Sequence, residues 1–248
     1  MTMANDIITE MDLLFPHSLS MGWDMTQGLI VGDASKSISN VIVSLEFRDN
    51  IKDEDADMII LHHPPIFGPD REVTNPFYRS WKKNDIVVYA IHSRMDRSGF
   101  TSQAIVEKLF EKTEYANLKI LDDGTAIINL DEQTDIDNLI KKTKSRLKLN
   151  SVNAIIKKRM VKKIAIHGGE AFQLHHISDA MKEDIDLYMG GDMSHHLAER
   201  TYEFEASFID IGHFSEQEGM RKLGEILQTK FPEISFRYIE QPQLWEIK

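Results

Sequence analysis

Six short apolar runs, each ending in glycine, histidine or an acid, constrain what this chain can fold into more than any other feature. They cover residues 41–46, 58–63, 86–92, 164–169, 185–192 and 206–213. Short apolar runs with a polar end are the pattern of strands buried on both faces, because a parallel sheet covered by helices has no wet face to alternate toward. Between them, residues 101–112, 135–149, 171–182 and 218–231 read as helices; Met220, Leu223, Ile226 and Leu227, for example, repeat at three and four residues. Alternating strands and helices predict an α/β protein with mixed or parallel sheets flanked by helices. The recurrence of strand, then histidine or glycine, then helix points to two related α/β halves. A turn signal at Asp122-Asp123-Gly124 puts a boundary near residue 120. The expected division is residues 1–120, completed by 205–248, against residues 121–204.

Composition narrows the function classes. The formal net charge of −11 opposes a general nucleic-acid-binding role, which needs a basic stripe to displace counterions from phosphates. Lys141, Lys142, Lys144, Arg146 and Lys148 do crowd one helical segment, and a solvated helix face is the preferred reading over an anion site or a DNA-facing lining. Without cysteine, any metal must be held by imidazole and carboxylate, and the chain suits a reducing compartment. The first 20 residues include Asp6, Glu10 and Asp12 and lack the basic start and apolar middle of a signal peptide. No apolar stretch approaches the roughly 20 residues that span a bilayer. The expectation is a cytoplasmic protein with no membrane partner.

The chemistry gathers at the ends of the runs. His62 and His63 stand where an apolar segment stops at Pro64-Pro65, in the sequence His62-His63-Pro64-Pro65-Ile66-Phe67, and proline cannot continue a ladder. His92 is followed four residues on by Asp96, and His213 by Glu216. In open α/β sheets ligands bind outside the carboxyl ends of the strands. If these strands are parallel neighbours, their junctions open on one edge and the imidazoles and carboxylates converge in one cleft. Five or six N/O ligands exceed the four of a tetrahedral zinc, so a carboxylate-bridged pair of ions with a bridging water or hydroxide is the economical arrangement. Each residue also has a plainer role: His92 as a hydrogen-bonded strand-end histidine, Asp96 as a helix cap, Glu216 as a first-turn acid.

The other candidates are weaker. His175 and His176 read as surface or packing residues of a helix. His195 and His196 follow Gly190-Gly191-Asp192 and open another helix, which could place them in the same cleft as substrate-binding or proton-transfer groups. His167-Gly168-Gly169-Glu170 could admit an anion to helix N–H groups or be a plain turn. Trp23 reads as packing over a core edge, while Asp24 is harder to assign to structure alone.

Taken in order, Trp23-Asp24 with Gly28 and Gly32, the His62-His63-Pro element, His92 to Asp96 with Gly99, Gly168-Gly169, Gly191-Asp192 with His196, and Asp210-Ile211-Gly212-His213 with Glu216 and Gly219 resemble the NGG-interacting-factor-like family, also known as type 2 homologs of GTP cyclohydrolase I. The resemblance implies two related α/β domains, a pair of divalent metal ions (zinc, iron or manganese) and a homohexameric ring. It makes His62, His63, Asp96, His213 and Glu216 the metal ligands, with Glu216 bridging. It leaves His92 and His196 as the catalytic, proton-transferring candidates. The activity implied is hydrolysis of a nucleotide or related heterocycle by a metal-bridged hydroxide; the competing reading is a non-catalytic metal-binding regulatory or interaction protein that forms a ring. The chain departs from the family's pattern at two places. His213 and Glu216 are one residue closer than usual, which keeps Glu218 as a fallback ligand, and the segment before the aspartate reads Arg94-Met95, with Gly99-Phe100 after it.

Overall fold

The computed structural model describes residues 1–24, 27–48, 51, 55–64, 80, 81 and 83–242. Pro65, Ile66 and Phe67 of the His-His-Pro-Pro element lie outside them. Two compact units emerge, one formed by Met1–Met95 with Met220–Pro242 and the other by Asp96–Gly219.

The first unit is built on five strands among the described residues. These are β1 (Gly28–Val31), β2 (Asn40–Ser44), β3 (Met58–Leu61), β4 (Val87–Ala90) and β11 (Ser235–Tyr238), in the order β1-β4-β3-β2-β11. Strands β11, β2, β3 and β4 run parallel, and β1 closes the edge antiparallel to β4. Every residue of β3 and β4 is buried, as their unbroken apolar sequences require. In register, Ser44 pairs with Leu61 and Leu61 with Ala90, so β2, β3 and β4 end level with one another. The N-terminal helix α1 (Ala4–Leu14) buries Ala4, Ile7 and Met11, one apolar stripe at helical spacing. Its Asp6 carboxylate accepts the Met3 backbone N–H at 2.8 Å.

The second unit holds a six-stranded sheet of β5 (Tyr115–Ile120), β6 (Ala126–Asp135), β7 (Asn153–Ile155), β8 (Met160–Ile166), β9 (Leu187–Gly190) and β10 (Ser207–Asp210), in the order β5-β6-β8-β9-β10-β7. Only β8, β9 and β10 are mutually parallel. Its helices are α2 (Ser93–Arg97), which straddles the boundary, α3 (Phe100–Leu109), α4 (Ile136–Leu147), α5 (Leu174–Met181) and α6 (His195–Thr201); α7 (Gln217–Lys230) leads back into the first unit. A core including Ile105, Leu109, Ile128, Ile164, Leu187 and Ile209 packs α3 and neighbouring elements on one side of this sheet. Phe172, Ile177, Tyr188 and Phe208 form a separate core. The architecture is therefore mixed α/β, with two sheets flanked by helices.

Three readings need correction here. The Asp122-Asp123-Gly124 turn joins β5 to β6 within one sheet rather than marking a boundary, because the two strands are hydrogen-bonded from Tyr115↔Leu130 to Ile120↔Ala126. The run that ends in His213 belongs to a different sheet from those ending in His63 and His92, since β10 pairs with β9 and β7. Trp23 is 64% exposed rather than packed over a core edge, while the adjacent Asp24 is buried.

The lysine-rich helix α4 is a solvated face laced with ion pairs. Lys142 pairs with Glu114, and Arg146 lies 3.1 Å from Glu111. Among the described residues no helix is long and apolar enough to cross a membrane.

Candidate metal centre

Because β3 and β4 are parallel neighbours in register, His62, His63 and His92 leave the sheet side by side. The backbone ladder runs on past the strands: His63 N–H donates to Leu45 C=O (2.9 Å) and His92 N–H to His62 C=O (3.1 Å). The three rings form a cluster with centroids 4.5 Å (His62–His63), 5.8 Å (His62–His92) and 5.4 Å (His63–His92) apart. His62 is buried, and Glu46, just beyond β2, brings Oε1 to 3.7 Å from His63 Nδ1. His92 has φ +50°, a backbone conformation uncommon outside glycine that costs of order 1–3 kcal/mol and tends to persist where function needs it.

Asp24 orients His92. Its Oδ2 lies 2.9 Å from His92 Nδ1 and accepts the Ser93 hydroxyl at 2.6 Å. Burial alone would raise the Asp24 carboxyl, but the His92 ring and the Ser93 hydroxyl outweigh it and bring it down to about 2. A carboxylate held on one imidazole nitrogen fixes the tautomer and leaves the other nitrogen for proton exchange. Exposed Trp23 stands edge-on to the His92 ring, 5.7 Å between centroids. That makes it an apolar surface beside the cluster.

In the second unit, β10 ends at Asp210 and the chain turns through Gly212 into a 3₁₀ turn, His213–Glu216. His213 Nδ1 lies 3.0 Å from Asp192 Oδ2 and 3.9 Å from Glu216 Oε1, and these three side chains are spaced to hold a metal ion. Gly191 permits the arrangement, since a Cβ there would stand 3.1 Å from the Gly212–His213 backbone. Glu216 is buried in this group, whereas Glu218 lies 3.5 Å from Lys108 Nζ.

Asp96 sits in α2, where Oδ1 accepts the Thr101 hydroxyl at 2.9 Å. It does not cap α3, whose N-cap is Gly99. The loops against it must be glycine: at Gly124 (φ +93°) a Cβ would fall 2.0 Å from the Asp96 carbonyl oxygen, and at Gly169 (φ +91°) 3.1 Å from its carboxyl carbon.

The remaining candidates divide. His195 and His196 are exposed at the start of α6, and neither joins a metal-spaced group among the described residues. The Gly168-Gly169 pair is no anion site on a helix, because α5 begins only at Leu174 and Gly168 N–H is taken by Ser102 Oγ at 2.9 Å. His176, expected to be a surface or packing residue, instead joins Asp123 and His167 in a third group of ligand-type side chains. Arg94 is fully buried; its guanidinium reaches Asp12 Oδ1 (2.8 Å), Phe15 C=O (3.1 Å) and the Tyr89 hydroxyl. It ties α1 to β4 and presents nothing to a ligand.

The chain is 30% identical over 230 residues to a GTP cyclohydrolase 1 type 2 homolog of Clostridium perfringens, with 86% of each chain covered. It is 23% identical over 238 residues to a Helicobacter pylori protein named GTP cyclohydrolase 1 type 2, covering 92% of this chain and 93% of that one. Among solved structures, a Staphylococcus aureus hypothetical protein superposes with a TM-score of 0.86 at 21% identity, over 99% of both chains. A Bacillus cereus protein related to NIF3 superposes with a TM-score of 0.81 at 18% identity, covering 100% of this chain and 99% of that one. The family model Duf34/NIF3 (NGG1p interacting factor 3) matches residues 2–243, and the chain belongs to that family.

Proposed function

We propose that this protein is a metal-dependent hydrolase of a nucleotide or related heterocycle, with His62, His63, Asp96, His213 and Glu216 as ligands of two divalent ions. The observation that carries the reading is the three-imidazole cluster at the ends of β3 and β4, because burying His62 and packing three rings within 5.8 Å gathers ligand-type side chains at one place. The donor set is imidazole and carboxylate throughout, which accommodates zinc, iron or manganese. When bound, such ions supply Lewis acidity and an activated water near neutral pH.

The chain's own residues do the rest. Asp24 holds His92 in one tautomer, so that His92 can carry a proton to or from the reacting group. Trp23 gives a flat heterocycle an apolar face to rest on beside it. His196 is retained as a second proton-transfer candidate from solvent. The names of the Clostridium and Helicobacter relatives support a purine nucleotide as the substrate class, and family resemblance supports a homohexamer.

Elemental analysis tests the ligand set: this centre is expected to hold about two transition-metal ions per chain in wild type and to be depleted of metal in His63→Ala and in Asp96→Ala. Unchanged metal in both variants refutes the assignment. A screen of nucleotides and small cyclic amides for metal-dependent turnover then tests catalysis. Full metal occupancy with no turnover favours a metal-binding regulatory or interaction role.

A further inference from the structure

The third ligand-type group lies in the second unit, outside the residues assigned above. One ligand atom from each of Asp123, His167 and His176 lies within 4.8 Å of the other two. The three come from separate elements: the β5–β6 turn, the end of β8 and helix α5. His167 and His176 face each other with ring centroids 4.1 Å apart and a 32° tilt.

The hydrogen bonds define which atoms are available. Thr125 Oγ1 lies 3.0 Å from Asp123 Oδ2 and 2.9 Å from His167 Nδ1. A carboxylate can only accept, so the single hydroxyl proton goes to Asp123, and the oxygen then accepts from His167 Nδ1–H. The His167 lone pair is therefore on Nε2. An imidazole whose Nδ1–H is anchored by a neighbour, in a ring packed against a second imidazole and close to a carboxylate, has the tautomer and surroundings of a metal-ligating histidine.

Charge states agree with the geometry. Burial, followed by the charge of His176, pushes His167 down to about 3, so the ring is neutral at pH 7. Burial would raise Asp123, but hydrogen bonds from His176 and Thr125 hold it well below the usual carboxylate range. Both are the forms that bind a cation. Asp96 adds a further negative charge facing His167, and exposed His175 packs 3.9 Å ring to ring against His176. With side chains 15% and 12% exposed, His176 and Asp123 leave a way in from solvent.

We propose that Asp123, His167 and His176 form a further site for one divalent transition-metal ion of the zinc class, with Thr125 as its outer partner. His176 Nδ1 and Asp123 Oδ2 stand 2.7 Å apart. Two ligands of a tetrahedral zinc with bonds of about 2.0–2.1 Å are roughly 3.3 Å apart. The pair therefore opens by a few tenths of an ångström as the ion replaces the shared proton, which leaves to water. Three protein ligands leave a fourth position to solvent, so the site is of the open kind. Two imidazoles and one carboxylate favour zinc, cobalt, nickel or ferrous iron over magnesium or calcium.

The test is Zn²⁺ titration of chelator-treated full-length protein against a chromophoric competitor, in wild type and in His63→Ala. One Zn²⁺ per chain is expected to remain in His63→Ala, with its affinity lowered more than about 100-fold by adding His176→Gln or Asp123→Asn. Thr125→Val should weaken it by roughly 10–100-fold, as loss of an outer partner does. Imidazole ¹H–¹⁵N spectra of the wild type provide a readout that needs no substitution: Zn²⁺ should shift the His167 and His176 signals. Equal Zn²⁺ affinity with and without those substitutions, or unmoved His167 and His176 signals at saturation, overturns the proposal. Because the readout is one particular ion, its failure is separable from failure of the His63-dependent pair.

Discussion

Replacing Arg94 with methionine isolates one of the contacts that join the N-terminal helix to the sheet. The guanidinium is fully buried and donates to the Asp12 carboxylate, the Phe15 carbonyl and the Tyr89 hydroxyl, with His17 Nδ1 3.3 Å away. Methionine keeps most of the apolar stem, so the loss is polar. Removing one partner of a buried ion pair costs about 3–5 kcal/mol, since the other is left without its counter-charge. Here Asp12 is 30% exposed and keeps water, His17 and the Tyr89 hydroxyl, which places Arg94→Met near the lower end, about 3 kcal/mol. Asp12→Asn should cost less, and the double variant should be more stable than the sum predicts, with a coupling of roughly 0.5–3 kcal/mol. Urea unfolding read by tryptophan fluorescence reports on this unit, because Trp81 is 3% exposed in its core and packs edge-on to Phe47. A fall in midpoint at constant m-value is the expected signature. An Arg94→Met cost below about 1 kcal/mol, or strictly additive single variants, would show that Arg94 is not the tie described.

Acid should act through the same network. Burial would raise Asp12, but hydrogen bonds from Tyr89 and Arg94 more than offset it, and its folded pKa lies below the ordinary value of 3.8. Such a group contributes stability that is fully present above the unfolded pKa and is lost as pH falls through the folded one. Asp12→Asn should therefore flatten the loss of stability below about pH 4, and an unchanged acid limb in chemical unfolding would contradict it. Trp23→Ala should leave stability within about 0.5 kcal/mol, because the ring is largely exposed, while raising the KM of any heterocyclic substrate found in the screen. An unchanged KM would remove Trp23 from the substrate's path.

What could be read from the sequence depended on burial. The fully buried strands β3, β4 and β9 are uninterrupted apolar runs and read as strands directly. β5 mixes half-buried and exposed positions, and β11 alternates between them, so neither run is apolar enough to register. The helices α3, α4 and α7 were legible from spacing, within a few residues at their ends. Helix α1 lies outside the runs that mark strands and helices above, although Ala4, Ile7 and Met11 form its apolar stripe.

The candidate site divides along the same line. Imidazoles placed immediately after apolar runs are a local pattern, and His62, His63 and His92 are legible as strand-end residues from that pattern alone, because a strand buried on both faces must stop where polar residues and proline begin. Which strand ends are neighbours is decided by pairing, and only the tertiary structure placed β3 beside β4 and β10 in another sheet. Asp123, His167 and His176 show the limit most clearly. In the β6–β8 ladder Ala126 pairs with Ile166, so the next residues outward, Thr125 and His167, come within hydrogen-bonding reach although they are 42 positions apart. Helix α5 then packs His176 against them. Register is a property of two strands at once, and a pattern confined to one segment cannot carry it.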